Sequence, residues 1–335
     1  MKNIIFENDA SADISENFLN ELSSELLATL LLDHTTGKNI TWATSDYQEL
    51  GDGYQYYDEI TIPCITGSCG NIIKPRVLKS KDNQSQRSKD MAEVFTPSWV
   101  CNAQNNLVDE AWFGRKDVFN TEQQDSHTWH STAERITDFP EGKSWKDYVQ
   151  DTRLEITCGE APYLASRYGT TTGILIPIEQ RIGMLDRKLR LVSENTETTT
   201  DWLKWAQCAF QNTYGYEWQG DNLLLARETL LITFMEYYYA KFKKMPQQKS
   251  INYIAYIVSW NIWQMDGLKC VVPDSCHSER VVEYGLFGDE TVTEHHCRGC
   301  KTSDIKQHNG VYCIIRDWKE RKEKQKIRFV DLIKR

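Results

Sequence analysis

The sequence has 335 residues, 40% of them apolar and 11% aromatic, and a formal net charge of −9. That length holds one large α/β domain with additions or two smaller domains, and the apolar content suffices for a sizeable core. The negative balance argues against sequence-independent coating of nucleic acid while leaving room for a local basic face. No charged-then-apolar leader pattern is present, and no apolar run approaches the roughly 20 residues of a membrane helix. A cytoplasmic chain without a membrane partner is therefore expected. In such reducing surroundings the ten cysteines are expected to be buried or to ligate metal rather than to pair.

In chain order, Ile14, Phe18, Leu22 and Leu26 fall at helical spacing behind Asp13, which predicts a packing helix. Residues 39–44 and 53–64, aromatic and β-branched between glycine turns, read as short strands. Cys64 and Cys69 flank a turn whose four-residue gap fits a zinc knuckle poorly. Residues 74–89 carry Lys74, Arg76, Lys79, Lys81, Arg87 and Lys89 against the single acid Asp82. A solvated linker and a phosphate-contacting loop both fit that pattern. Next, Glu93-Val94-Phe95-Thr96-Pro97 leads into a helix, with Thr placed to cap it and Pro at its start. His127, Trp129 and His130 have no acidic or cysteine partner at ligand spacing and read as an exposed loop.

The stretch Leu154-Glu155-Ile156-Thr157-Cys158-Gly159 is an apolar run ending in an acid and a tight turn, followed by a helix start. A doubly wound α/β fold builds a nucleoside pocket in this way at the end of its first strand. Gly159 lets the backbone pass close to a ligand, and the helix behind it offers free N–H groups. The G-x-G-x-x-G spacing of dinucleotide binders is missing, so no pyrophosphate is expected. Two helical stripes follow, Ile182-Leu185-Leu189-Val192 and Trp202-Trp205-Phe210. They read as packing helices, with a DNA-facing surface as the alternative for Arg181, Arg187, Lys188 and Arg190. Thr213 to Glu217 then reads as a strand ending in a carboxylate that can accept both hydroxyls of a ribose, with Trp218 placed to cover a base.

Four segments together carry a resemblance: Glu93-Val94-Phe95-Thr96-Pro97, Glu155-Ile156-Thr157-Cys158-Gly159, Glu217-Trp218 and Asn261-Ile262-Trp263-Gln264-Met265-Asp266-Gly267-Leu268. In this order they resemble the adenine-N6 DNA methyltransferases of restriction–modification systems, more closely proteins labelled restriction endonuclease subunit M. The match covers roughly residues 90–270. It implies an α/β, doubly wound (Rossmann-like) methyltransferase core over 148–275 with a helical insertion at 165–212. A helical and mixed region, 1–90, and a Phe-Thr-Pro segment with its connector, 91–147, would precede the core. By the same resemblance Phe95, Thr96 and Pro97 close over S-adenosylmethionine, and Glu155, Thr157, Cys158 and Gly159 lie at its methionine end. Glu217 would take the ribose, Trp218 the purine face and Asp266 the exocyclic amine of the cofactor adenine. The implied reaction methylates adenine N6 in DNA, with DNA and a restriction or specificity subunit as partners.

The resemblance breaks at the acceptor side. An exocyclic amine is a poor nucleophile because its lone pair is delocalised into the ring. The family answers with an Asn/Asp-Pro-Pro-aromatic loop that accepts both N–H bonds and stacks the flipped base. None of the eight prolines here adjoins another, and none follows Asn or Asp. In its place stands Cys270-Val271-Val272-Pro273-Asp274, with Asp274 as the candidate catalytic acceptor and no aromatic after it. The gap favours, as an alternative, a catalytically incomplete cofactor- or DNA-binding subunit that needs a partner chain.

Residues 276–335 read as a zinc-ribbon-like appendage with a basic tail. Cys297-x-x-Cys300 has knuckle spacing, Cys313 supplies a third ligand, and Cys276 or a neighbouring His a fourth. A structural zinc would staple a segment too small to bury its own core. For the tail, with Trp318 and Phe329 among Lys and Arg, the choices are a solvated helix, a DNA-backbone contact or a docking strand.

Overall fold

The computed structural model of the chain describes residues 12–90, 96–123, 125–284 and 290–333. It begins with α1 (Glu16–Leu22) and α2 (Ser24–Leu31), where extended backbone at Ser23 breaks the expected single helix in two. Residues 39–64 hold two isolated bridges, Leu32–Asn39 and Thr41–Glu59, and the short α3 (Ile62–Ile65) in place of the expected strands. Helices α4 (Lys81–Asp90) and α5 (Ser98–Phe113) follow, then the hairpin β1 (Asn120–Gln123) and β2 (Thr128–Ser131), and α6 (Trp145–Gln150).

The middle of the molecule is β3 (Arg153–Glu155), α7 (Met184–Asn195), α8 (Thr199–Gln211), β4 (Thr213–Glu217), α9 (Gly220–Phe242), α10 (Gln248–Asn261) and β5 (Ile262–Gln264). The three strands form one parallel sheet in the order β3-β4-β5, with Glu155 opposite Gly215 and Glu217 opposite Gln264. Parallel neighbours need long crossovers, and the helix pairs between the strands provide them. Helix α9 is buried continuously from Gly220 to Tyr238, which explains its dense Leu-Leu-Leu and aromatic runs.

The rest of the chain departs from the expected core. It forms β6 (Glu279–Tyr284) with β7 (Glu290–His295), then α11 (Arg298–Thr302), and β8 (Ile314–Arg316) with β9 (Lys326–Arg328), both pairs antiparallel. Among the described residues the architecture is therefore mixed α/β, with three parallel strands and small two-stranded sheets rather than a complete doubly wound sheet. The tail is a hairpin, not a terminal helix. It docks on its own chain, the Tyr214 hydroxyl donating to Arg316 O and the Trp318 indole to Asn261 Oδ1. No helix among the described residues is long and apolar enough to cross a membrane.

Two cations of α7, and one just before it, face inward. Arg187 and Lys188 are fully buried, Arg187 pairing with Asp109, and Arg181 pairs with Glu236 at 2.6 Å. For Arg181, Arg187 and Lys188 the DNA-facing alternative is thereby overturned, while Arg190 is partly buried and pairs with Glu194 at 2.7 Å. The basic stretch before Met91 is also anchored. Arg87 is buried and reaches Asp221 at 2.8 Å and Gln219 at 2.6 Å, while Lys79 meets Asp221 at 3.2 Å. Burial pushes the Asp221 carboxyl up, but Arg87 and Lys79 outweigh it and hold the group far below the usual carboxylate range. These pairs seat α4 on the start of α9, which brings Lys89 to the rim of the cleft described next.

Candidate functional site

The carboxyl ends of β3 and β4 meet the turn that follows β3. Thr157, Gly159 and Ala161 all have left-handed backbone, with φ of 47°, 52° and 62°. That geometry doubles the chain back over the strand ends, where Cys158 N–H donates to Tyr216 O at 2.8 Å. Gly159 N–H donates to Glu217 Oε2 at 2.8 Å. A Cβ on Gly159 would meet nothing within 4 Å, so the glycine answers to its φ, and the space above it is open. Cys158, by contrast, is buried, its Sγ 3.2 Å from where a Cβ on Gly215 would lie. The glycine in β4 thus lets the turn pack flat against the sheet.

The two strand-end acids are buried together. Glu155 Oε1 accepts from Tyr163 N–H at 3.4 Å, and its Oε2 has no partner among the described residues. Burial pushes the Glu155 carboxyl well above its ordinary range, and nearby Glu217 adds to the effect. Burial raises Glu217 as well, against the N–H groups of Gly159, Gln219 and Trp218. A cation entering here would find two carboxyls ready to ionise.

These groups open on a cleft of about 1270 Å³ whose walls include Thr96, Glu155, Thr157, Gly159, Glu217 and Trp218. Arg153 and Asn105 line it too. A small adjoining cavity of about 110 Å³ shares Thr96, Glu155, Thr157, Gly159 and Asn222 and adds Cys158. Seven of the sequence-predicted cofactor residues are thus brought to one place. Pro97 caps α5 beside Thr96 without lining the cleft, and Phe95 lies outside the described residues.

Asp266 is a correction. Its Oδ1 accepts from Leu268 N–H at 2.9 Å and Lys269 N–H at 3.2 Å, and Oδ2 pairs with Lys269 Nζ at 3.0 Å. The carboxylate closes the turn after β5 and is not among the cleft-lining groups. Asp274 also stands off the cleft, in left-handed backbone with φ 54°. Its Oδ2 accepts from the Tyr56 hydroxyl at 3.0 Å, and that hydroxyl accepts from Trp218 Nε1 at 3.1 Å. Tyr56 lines the cleft itself. Burial lifts its hydroxyl to about 12, with Asp274 reinforcing the rise and Trp218 opposing it. Nothing in the local sequence marks Tyr56, because a contact across more than 150 residues leaves no periodic trace.

A second centre lies in the C-terminal region. Cys276, Cys297, Cys300 and His308 place their ligand atoms all within 4.8 Å of one another. His308 Nδ1 is 3.5 Å from Cys276 Sγ and 3.6 Å from both Cys297 Sγ and Cys300 Sγ. A tetrahedral zinc with ordinary bond lengths sets nitrogen and sulfur about 3.6 Å apart. The set can therefore hold a metal ion. Burial and the neighbouring thiols push Cys276 up to about 12. For Cys297 burial acts upward too, but the N–H groups of Asn309 and Cys300 draw the thiol down to about 6. Glycines shape the pocket: a Cβ at Gly299 would fall 2.6 Å from His308, and one at Gly310 3.0 Å from Cys276 Sγ.

Cys313 is not part of this centre. It is buried in a small apolar cluster with Met265, Cys270 and Ile315, and its Sγ donates to Gln264 O at 3.3 Å. His308 takes the place expected of it. No family model matches this chain, and neither the curated proteins nor the solved structures include one that matches it.

Proposed function

We propose that the cleft binds S-adenosylmethionine and that the chain is a methyl-donor (modification) subunit in the methylation of adenine N6 in DNA. On this reading β3, β4 and β5 are the first strands of a Rossmann-like methyltransferase core. One observation carries it: Glu155 and Glu217 end adjacent parallel strands, and the turn that follows Glu155 donates Gly159 N–H to Glu217. A carboxylate at the second strand end suits ribose hydroxyls. The buried, unpartnered Glu155 Oε2 suits the positive charge that distinguishes this cofactor from a neutral nucleoside. The bound cofactor would supply an electrophilic methyl group; the chain's own part is to hold the donor in line and to keep water from it.

The acceptor side favours a second component. Asp274 is turned toward Tyr56, no Pro-Pro-aromatic loop exists, and residues 276–333 build hairpins and the metal centre. We therefore assign base handling to a partner chain, a restriction or specificity subunit. To the Cys276, Cys297, Cys300 and His308 centre we assign a structural zinc, since four protein ligands leave no open position. Ten unpaired cysteines accord with a cytoplasmic site of action.

Equilibrium binding of tritiated S-adenosylmethionine tests the cleft. Retention by the wild-type chain, lost in Glu217→Ala, is expected. Affinity should rise with pH above the usual carboxylate range, because a cationic ligand binds the ionised form of Glu155, whose carboxyl is pushed upward by burial. Absence of binding at millimolar cofactor would sink the reading. Methyl incorporation into unmethylated duplex DNA by the chain alone, unaffected by any added partner, would remove the two-component part.

A further inference from the structure

We propose that Tyr56, oriented by Asp274 and Trp218, is the group that recognises an amino substituent on the base bound in the cleft. The inference rests on the nucleoside-cofactor reading of that cleft and names the atom that chooses among nucleosides.

The argument is one of hydrogen-bond capacity. A tyrosine hydroxyl has one donor and two acceptor lone pairs. An ionised carboxylate only accepts and an indole N–H only donates, so both neighbours of Tyr56 act in a fixed sense. The single O–H is directed to Asp274 Oδ2 at 3.0 Å. One lone pair takes the Trp218 Nε1–H at 3.1 Å. What remains is one lone pair, an acceptor with no donor left to offer.

The position fits a base. Trp218 directly follows Glu217, and Trp218 and Tyr56 are both walls of the same cleft, so a nucleoside with its ribose on Glu217 carries its base toward this pair. There an adenine-type amine can give an N–H to the free lone pair. A keto oxygen at the same point would meet lone pair against lone pair. Asp274 is held for the task by its setting. It sits two residues before the metal-ligating Cys276, and Ser275 Oγ, between them, donates to Val272 O and accepts from Val311 N–H. Asp274 is thus a positioning residue, acting through the phenol.

Calorimetric titration of the full chain with S-adenosylhomocysteine and with S-inosylhomocysteine, which has a carbonyl in place of the amine, tests this. The wild type should prefer the adenosyl compound about tenfold, the scale of one half-exposed hydrogen bond. In Tyr56→Phe the preference should disappear. In Asp274→Ala, where the hydroxyl is free to turn and donate, it should disappear through a gain in inosyl affinity, an effect that mere loosening of the structure would not produce. Asp274 is exposed and Tyr56 half-buried, so unchanged thermal melting is the control. An undiminished preference in both variants overturns the inference and leaves the cofactor reading intact, as does a wild type that binds both compounds equally. A wild type that binds neither overturns both.

Discussion

The sheet core and the C-terminal unit manage charge in opposite ways. In the core, Asp221, Arg227 and Glu236 of the buried α9 find partners inside the protein, while Glu228 is buried with neither carboxylate oxygen partnered among the described residues. Asp221 meets Arg87 and Lys79, and Glu236 meets Arg167 and Arg181. Arg227 donates to backbone carbonyls of Leu30, Leu32, Ser259 and Ile262, at the carboxyl ends of α2 and α10, where helix dipoles leave partial negative charge. The C-terminal unit contributes only Cys313, Ile315 and Val330 to a small apolar cluster that it shares with Tyr216, Trp263 and Met265 of the core, and it brings three thiols together instead. A large apolar interior can hold ion pairs because the surrounding burial supplies the stability. A small one gains from a cation supplied from outside, which these four ligand atoms could hold.

The comparison breaks most sharply at the metal. Chelation, or His308→Ala, should unfold residues 276–316 with a loss on the order of 10 kcal/mol of metal-binding free energy, while α9 keeps its hydrogen-exchange protection. Metal analysis should find about one zinc per chain, retained in Cys313→Ser. Equal loss of protection in both regions would erase the distinction.

Within the core, Arg227→Met should destabilise by about 3–5 kcal/mol in urea unfolding, since four buried carbonyls lose their donor at once. Lys188 gives a smaller, pH-dependent effect. Burial, helped by Arg153, lowers its ammonium to about 7 in the folded chain, below the ordinary lysine value. Below pH 7 both states are charged and the burial penalty is present in full. Above it the unfolded chain binds more protons, so stability rises with pH toward about 10, by a few kcal/mol at most. Lys188→Met should remove that rise; an unchanged pH profile in the variant would show that the amine is not the source.

Gly159→Ala is the mildest change for the fold, about 1 kcal/mol for a left-handed alanine. Its effect on cofactor retention should be larger than that, because the new methyl enters the open space over the turn. A variant that melts lower and binds equally well would place the ligand elsewhere.

Local features were legible in the residues themselves. The Glu155–Gly159 turn, the strand ending at Glu217, the packing stripes of α7 and α8, and the Cys297–Cys300 knuckle each depend on a few consecutive positions, and the structure forms all of them, but the helix expected directly behind the turn is not formed, the next α-helix being α7. Backbone geometry of that kind is written in short-range chemistry: an acid, a glycine at positive φ, a fixed ligand spacing. Partner choice was not. Asp266 stands where the resemblance wants an adenine ligand, yet Leu268, Lys269 and the Lys269 ammonium take up its carboxylate. Cys313 was the expected third ligand by spacing, yet it lies just before β8 in an apolar cluster, and His308 completes the set instead. The Arg and Lys at 181–190 left a DNA-facing surface open as the alternative to packing, and only partners far away in sequence, Asp109 for Arg187 and Glu236 for Arg181, turn them inward. Which acid remains free, which thiol ligates and which cation is buried depend on neighbours distant in the chain, and those neighbours exist only once the chain has folded.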